Sequence, residues 1–273
     1  MSVLPFELAL TFYFAAVILG GVDLVKGSRA TARLMQLLIG VGFLNHTLAI
    51  IYRYAVGEHL PITTPHEAAS FFAWCTVLLY FVMEFRYRVG LLGSFIMPVV
   101  FFLMLASAMM SREIKEAAEI SARLKSYWLG IHTFFAFMAN AAFALACVVG
   151  LMYLVQERYL KAKRLGDLFE RLPDIQTLDY LNYRMISVGF PALSVAMITG
   201  SLWAKSAFGE FWRWDPREVM SLITFFIYAL IIHSRLMAGW RGRRAAVLSI
   251  IGFVFVIVAF AGIKIFQKGY HVF

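Results

Sequence analysis

The chain is poor in charge. Asp, Glu, Lys and Arg make up 15% of its 273 residues and 62% are hydrophobic, which excludes the mixed surface of an ordinary soluble domain. Cysteine is scarce as well: Cys75 and Cys147 both fall within apolar stretches, and neither CxxC nor CxxCH occurs. That excludes a dithiol oxidoreductase and a carrier of covalently attached haem, and leaves the two cysteines as small buried hydrophobes. Internal repeats, low-complexity tracts and domain linkers are also missing, so a single integral membrane domain over 1–273 is expected. The first apolar run has no cationic stretch ahead of it and no small-residue cleavage site behind it, and is read as a retained span.

What is present is a series of apolar blocks. A helix needs about 20 mostly apolar residues to cross a bilayer, because each backbone polar group must be satisfied within the segment. Eight blocks qualify: 3–22, 34–56, 68–85, 89–110, 128–155, 183–203, 218–238 and 245–266. The expected fold class is an all-α polytopic membrane protein of about eight transmembrane helices. Orientation follows from Lys and Arg. With both termini outside, fifteen of the twenty-five cationic residues, from Lys26 to Arg244, lie in cytoplasmic loops, as the positive-inside rule favours. The net charge of +9 is therefore a topology signal with some attraction to anionic lipid, and no motif supports nucleic-acid binding.

Two connections are long. Residues 111–126 place Ile114, Ala117, Ile120 and Leu124 at helical spacing between charges, which predicts a helix lying in the interface. Residues 156–184 are expected to continue the fifth helix, break around Gly166 and Pro173, and re-enter the membrane near Tyr183.

Six histidines are spread unevenly over this plan. His132 opens the fifth span at the outer surface, His271 lies beyond the eighth, and His59 and His66 fall in the first outer loop. Neutral imidazole is a good axial ligand for haem iron, although a lone histidine at an interface is commonly an amphipathic anchor. His233 and His46 fall within spans, where an ionisable group is a functional candidate. At 1.5 Å rise per residue, His46 lies about 20 Å from Arg33 and His233 about 3 Å from Arg235. The two cannot share one iron, so a mate for His233 would come from another polypeptide. A hydrogen bond between helices is the competing reading of His46.

Between the sixth and seventh spans stands WAKSAFGEFWRWDPREV. Its DPRE end reads as a helix start: Asp215 as cap, Pro216 at the first position, Glu218 completing a capping box. Trp203, Trp212 and Trp214 would fit an aromatic belt, but a belt does not require Gly209 or interleaved arginines. A flat, hydrophobic, dianionic ligand would use every part. Rings of Trp203, Phe208, Phe211, Trp212 and Trp214 supply surface, Gly209 permits close approach, and Lys205, Arg213 or Arg217 can pair with propionates. These features describe an outward-facing haem platform.

FGEFWRWDPRE resembles the tryptophan-rich WWD signature, commonly WGxxWxWD, of the cytochrome c assembly family of haem-handling proteins, in its CcsA/ResC branch. NHTLAIIYR, WLGIHTFFAF, LDYLNYR and the terminal GYHVF extend the resemblance over most of the chain, while the CcmC and CcmF branches differ in length. The resemblance implies a WWD segment over 203–218, with haem b as transported substrate. It implies His132 and His271 as paired external iron ligands and His233 as an intramembrane ligand. Implied partners are a ResB-like membrane subunit, apocytochrome c with CxxCH, and a thioredoxin-like thiol reductant. Phe208 departs from the pattern, standing where a tryptophan is usual. The implied setting is a bacterial cytoplasmic membrane or a thylakoid. Two other classes remain alternatives: a secondary transporter of an anionic amphiphile and a b-type respiratory cytochrome subunit.

Overall fold

The computed structural model describes residues 3–57, 60–62, 64–109, 126–163 and 166–269. His59, His271 and all but the last residue of the expected interfacial helix at 111–126 lie outside the described residues. A helix covers each apolar block, because a helix satisfies its own backbone groups where lipid offers none. In chain order these are α1 (Val3–Lys26), α2 (Arg29–Gly57), α3 (Pro65–Tyr87), α4 (Leu92–Met109), α5 (Tyr127–Lys161), the short α6 (Asp167–Arg171), α7 (Ile175–Phe208), α8 (Pro216–Met237) and α9 (Arg243–Gly269). Among the described residues there is no strand, and seven helices, α1–α5, α7 and α8, are long and apolar enough to cross a membrane. The protein is an all-α integral membrane protein. The eighth apolar block is occupied by the 27-residue α9.

The chain divides into two compact units, one of residues 1–125 with 156–174, the other of 126–155 with 175–273. In the first, α1 packs along α2 and α4, and α3 along α4. Arg171 of α6 grips the C-terminal end of α1: its Nη1 donates to the Asp23 carbonyl at 2.6 Å, and its Nη2 lies 2.9 Å from the Asp23 carboxylate. Asp23 is buried, and a buried carboxylate without such a cation would carry several kcal/mol of desolvation, on the order of 3–5 if the partner were removed. The start of α3 is fixed by a reciprocal box. The Thr64 hydroxyl accepts the Glu67 N–H, while Glu67 accepts the Thr64 N–H and the Arg53 guanidinium.

In the second unit α5 is central, with every residue from Ala139 to Gly150 buried. The run is mostly small residues, which lets neighbouring helices approach where no hydrophobic drive separates helix from lipid. Phe143 of α5 stacks on Tyr228 of α8, and Asn182 of α7 donates to the Ala146 carbonyl at 2.7 Å and to the Ser249 hydroxyl of α9 at 2.8 Å. At the same end, Arg235 of α8 makes a bidentate pair with Asp179 of α7 (2.9 and 2.7 Å), and the Gly242 N–H donates to the same carboxylate. These bonds close the turn between α8 and α9.

The expected break in 156–184 is present, with α5 ending at Lys161 and α7 starting at Ile175. That start is two turns earlier than Tyr183. Leu178, Leu181, Asn182 and Met185 form one buried face at helical spacing, so packing extends the helix beyond the apolar block. His66, expected in the first outer loop, instead sits in the first turn of α3, where it is buried and its Nδ1 lies 2.7 Å from Ser107.

Candidate functional site

The loop between α7 and α8 is shorter than the sequence suggested. Trp203 and Phe208 belong to α7, which continues five residues past the expected end of the span. Gly209 ends it. Its φ of +87° is the left-handed conformation in which helices commonly stop, its N–H donates to the Lys205 carbonyl, and its own carbonyl accepts the Lys205 ammonium at 2.7 Å. The non-helical segment is thus Gly209 to Asp215.

Asp215 starts α8 as expected. Its Oδ1 accepts the N–H groups of Arg217 (2.9 Å) and Glu218 (3.0 Å), with Pro216 in the first turn. Glu218 does something the capping-box reading did not anticipate: its Oε2 accepts the Arg213 N–H at 2.6 Å. The carboxylate therefore ties the middle of the loop to the first turn of α8. Between these two anchors, Trp214 takes a φ of +58°. A bulky residue there is strained by about 1–3 kcal/mol, yet Trp214 is 72% exposed. The fold holds an indole out of the protein against its backbone preference.

The rings form two edge-on pairs, Trp203 with Phe208 (centroids 5.5 Å apart) and Trp212 with Trp214 (5.9 Å). Phe208, Phe211 and Trp214 are exposed. The Arg213 guanidinium lies 4.0 Å from the Phe208 centroid. The Trp212 indole N–H is buried and has no hydrogen-bond partner among the described residues. An orphaned donor beside the exposed Trp214 ring, with a guanidinium stacked on Phe208, suits a planar ligand that carries acceptors.

His132 lies on α5 against α7 at Ala196 and Gly200, short of the α7 end at Phe208. Its Nδ1 is 2.7 Å from the carbonyl oxygen of Ala196, one turn before Gly200. A carbonyl only accepts, so Nδ1 carries the proton and Nε2 of the neutral ring keeps its lone pair. Gly200 makes this possible: a Cβ there would stand 2.7 Å from Nδ1. Sequence reasoning singled out His132 but missed Ala196 and Gly200, whose only signal was a glycine within a span, three residues before Trp203. A metal-binding histidine whose other nitrogen is fixed by a backbone carbonyl is a common arrangement for imidazole ligation.

The other histidines lie elsewhere. His46 is buried in the first unit with both nitrogens engaged, Nδ1 with the Tyr13 hydroxyl at 3.3 Å and Nε2 with the Ser70 hydroxyl at 2.9 Å. His233 is exposed on α8, in a stripe with Phe226, Leu230 and Met237, facing away from the unit's own core.

The family model described as cytochrome C assembly protein matches residues 63–271. The cytochrome c biogenesis protein CcsA of Chlamydomonas reinhardtii is 29% identical over 259 residues, covering 93% of this chain and 72% of its own length. The CcsA proteins of Synechococcus sp. (strain CC9605) and Chlorella vulgaris are 29% and 30% identical, over 98% and 82% of this chain and 97% and 81% of their own. Among solved structures, the cytochrome c heme lyase CcmF superposes on 97% of this chain with a TM-score of 0.65 and 16% identity, and this chain spans 49% of that protein.

Proposed function

The chain belongs to the cytochrome c assembly protein family, and on that premise we propose that it serves c-type cytochrome biogenesis by binding haem b and presenting it to apocytochrome c at the outer face of the membrane. The observation that carries this reading is His132: its proton is held on Nδ1 by the Ala196 carbonyl, which leaves Nε2 as the ligating nitrogen of a ring packed against Gly200, three residues before Trp203. Trp203, Phe208, Phe211, Trp212 and Trp214 supply ring surface, with Gly209, Arg213, Asp215 and Arg217 shaping and charging it. His271 would supply the second external iron-ligating nitrogen, and the whole chain, 1–273, works as one haem-handling domain.

His233 is the intramembrane ligand, and its exposure on α8 supports a mate from a ResB-like subunit. His46 has no lone pair to spare without breaking a hydrogen bond to Tyr13 or Ser70, so it acts as a structural residue. That weakens the b-type cytochrome alternative, which needs stacked ligand pairs. The positive-inside pattern supports the segment facing the periplasm, or the lumen in a thylakoid.

Bound haem would supply the vinyl groups, across whose double bonds the two CxxCH thiols add once a thioredoxin-like protein has reduced the disulfide between them. The residues of this chain bind, orient and shield. His132 keeps its proton on Nδ1 throughout, and the loop residues hold the porphyrin plane where the apocytochrome segment can reach its edge. The protein is in this reading the haem-presenting component of a holocytochrome c synthase.

The test is coproduction with a ResB-like subunit and an apocytochrome reporter, followed by the haem spectrum of the purified complex and the holocytochrome yield. His132→Ala combined with His271→Ala is expected to abolish both. Wild-type haem content and yield in that double variant would remove the ligand assignment.

A further inference from the structure

Three cations border the aromatic loop, and their surroundings differ. The Lys205 ammonium donates to the Gly209 carbonyl at 2.7 Å and lies 5.3 Å from the Phe211 centroid, so it serves the end of α7. Arg217 sits in the first turn of α8, where its N–H is bound by the Asp215 cap. Arg213 is exposed and is held at both ends. Its backbone N–H is fastened to Glu218, and its guanidinium rests 4.0 Å from the centre of the Phe208 ring, which in turn leans edge-on against Trp203 of α7.

A guanidinium seated on an aromatic face keeps its in-plane N–H donors available, because the ring contacts the π face and not the edge. Pre-orientation lowers the entropy lost when a long side chain binds, and a planar fork matches a carboxylate with two parallel hydrogen bonds. Building on the haem reading above, we infer that Arg213 is the carboxylate anchor of this site, gripping a propionate, with Phe208 as its positioning residue. Position 208 therefore needs a ring face and no indole N–H. The site selects porphyrins by their acidic edge as well as by their plane and metal.

The experiment is a binding titration with the full chain in lipid nanodiscs, following absorbance for iron protoporphyrin IX and for its dimethyl ester, in which both carboxylates are blocked. Wild type is expected to prefer the free acid by about tenfold, the range of one charge-assisted bidentate contact. Arg213→Gln should bind the free acid about tenfold more weakly and lose the preference, so that its affinities for the acid and the ester converge. A thermal unfolding curve of ligand-free Arg213→Gln that matches wild type serves as the folding control. Arg213→Lys should keep part of the preference, Phe208→Leu should lose most of it with the charge intact, and Phe208→Trp should keep it. An Arg213→Gln protein that retains the wild-type preference overturns the assignment while leaving the haem reading intact. A wild-type chain that binds neither porphyrin overturns the haem reading, and this inference with it.

Discussion

The Nδ1 atom of His132 and the bare Cα of Gly200 share a space with no room for a methyl group: a Cβ on residue 200 would stand 2.7 Å from that nitrogen. The ring is thereby placed with Nδ1 against the Ala196 carbonyl. Gly200→Ala should displace the imidazole while leaving it in the sequence. The expected cost is about 1–3 kcal/mol of stability from overpacking, with haem retention falling toward that of a His132 variant. Thermal unfolding and the haem-to-protein ratio of purified Gly200→Ala measure the two effects separately.

Trp214 allows stability and binding to be separated. Its φ of +58° suits glycine better than tryptophan. Trp214→Gly is expected to leave the melting temperature unchanged or raise it, by up to about 1 kcal/mol in stability, while reducing haem retention through lost ring surface. Trp214→Phe should keep the strain and most of the binding. A Trp214→Gly protein with full haem content would show that the exposed ring has no share in the site.

Asp215 acts on geometry. Its carboxylate satisfies two amides at the start of α8, and Asp215→Ala should cost about 1 kcal/mol, with Asp215→Asn or Asp215→Ser recovering most of it. Holocytochrome yield should follow stability across this series. Trp212→Ala, by contrast, should lower haem retention more than it lowers the melting temperature. Plotting retention against melting temperature for both series distinguishes a cap from a contact.

His46 gives a prediction of opposite sign. Removing its ring strands the Tyr13 and Ser70 hydroxyls in the core of the first unit, so His46→Ala should destabilise by about 2–4 kcal/mol through lost packing and unpaired polar groups. The haem spectrum of the folded fraction should match wild type, and added imidazole should not change it. A changed axial-ligand spectrum in that fraction would return His46 to the list of iron ligands.

Much of this was legible in the sequence, for physical reasons that vary from residue to residue. Apolar blocks located the helices because lipid permits little else, and DPRE located the start of α8 because Asp and Pro have few other uses at that spacing. The end of α7 was placed too early, at Trp203, since hydropathy falls before the helix does and Gly209 alone marks the true stop. Glu218 was assigned a local bond but reaches Arg213, a choice set by the shape of the intervening loop. Ala196 and Gly200 could not be found by residue type, because what they contribute to His132 is a carbonyl and an absence of side chain. Position in the sequence separates His132, which opens a span, from His46, which lies within one, but their roles are assigned by hydrogen-bond partners, a backbone carbonyl for the first and two hydroxyls for the second.

Whether His132 binds iron is read from the absorption spectrum of haem copurified with His132→Gly, recorded with and without added imidazole. The bound-haem bands are expected to be lost in the variant and to return when imidazole fills the space left by the ring. A wild-type spectrum in His132→Gly without imidazole would contradict iron ligation by His132.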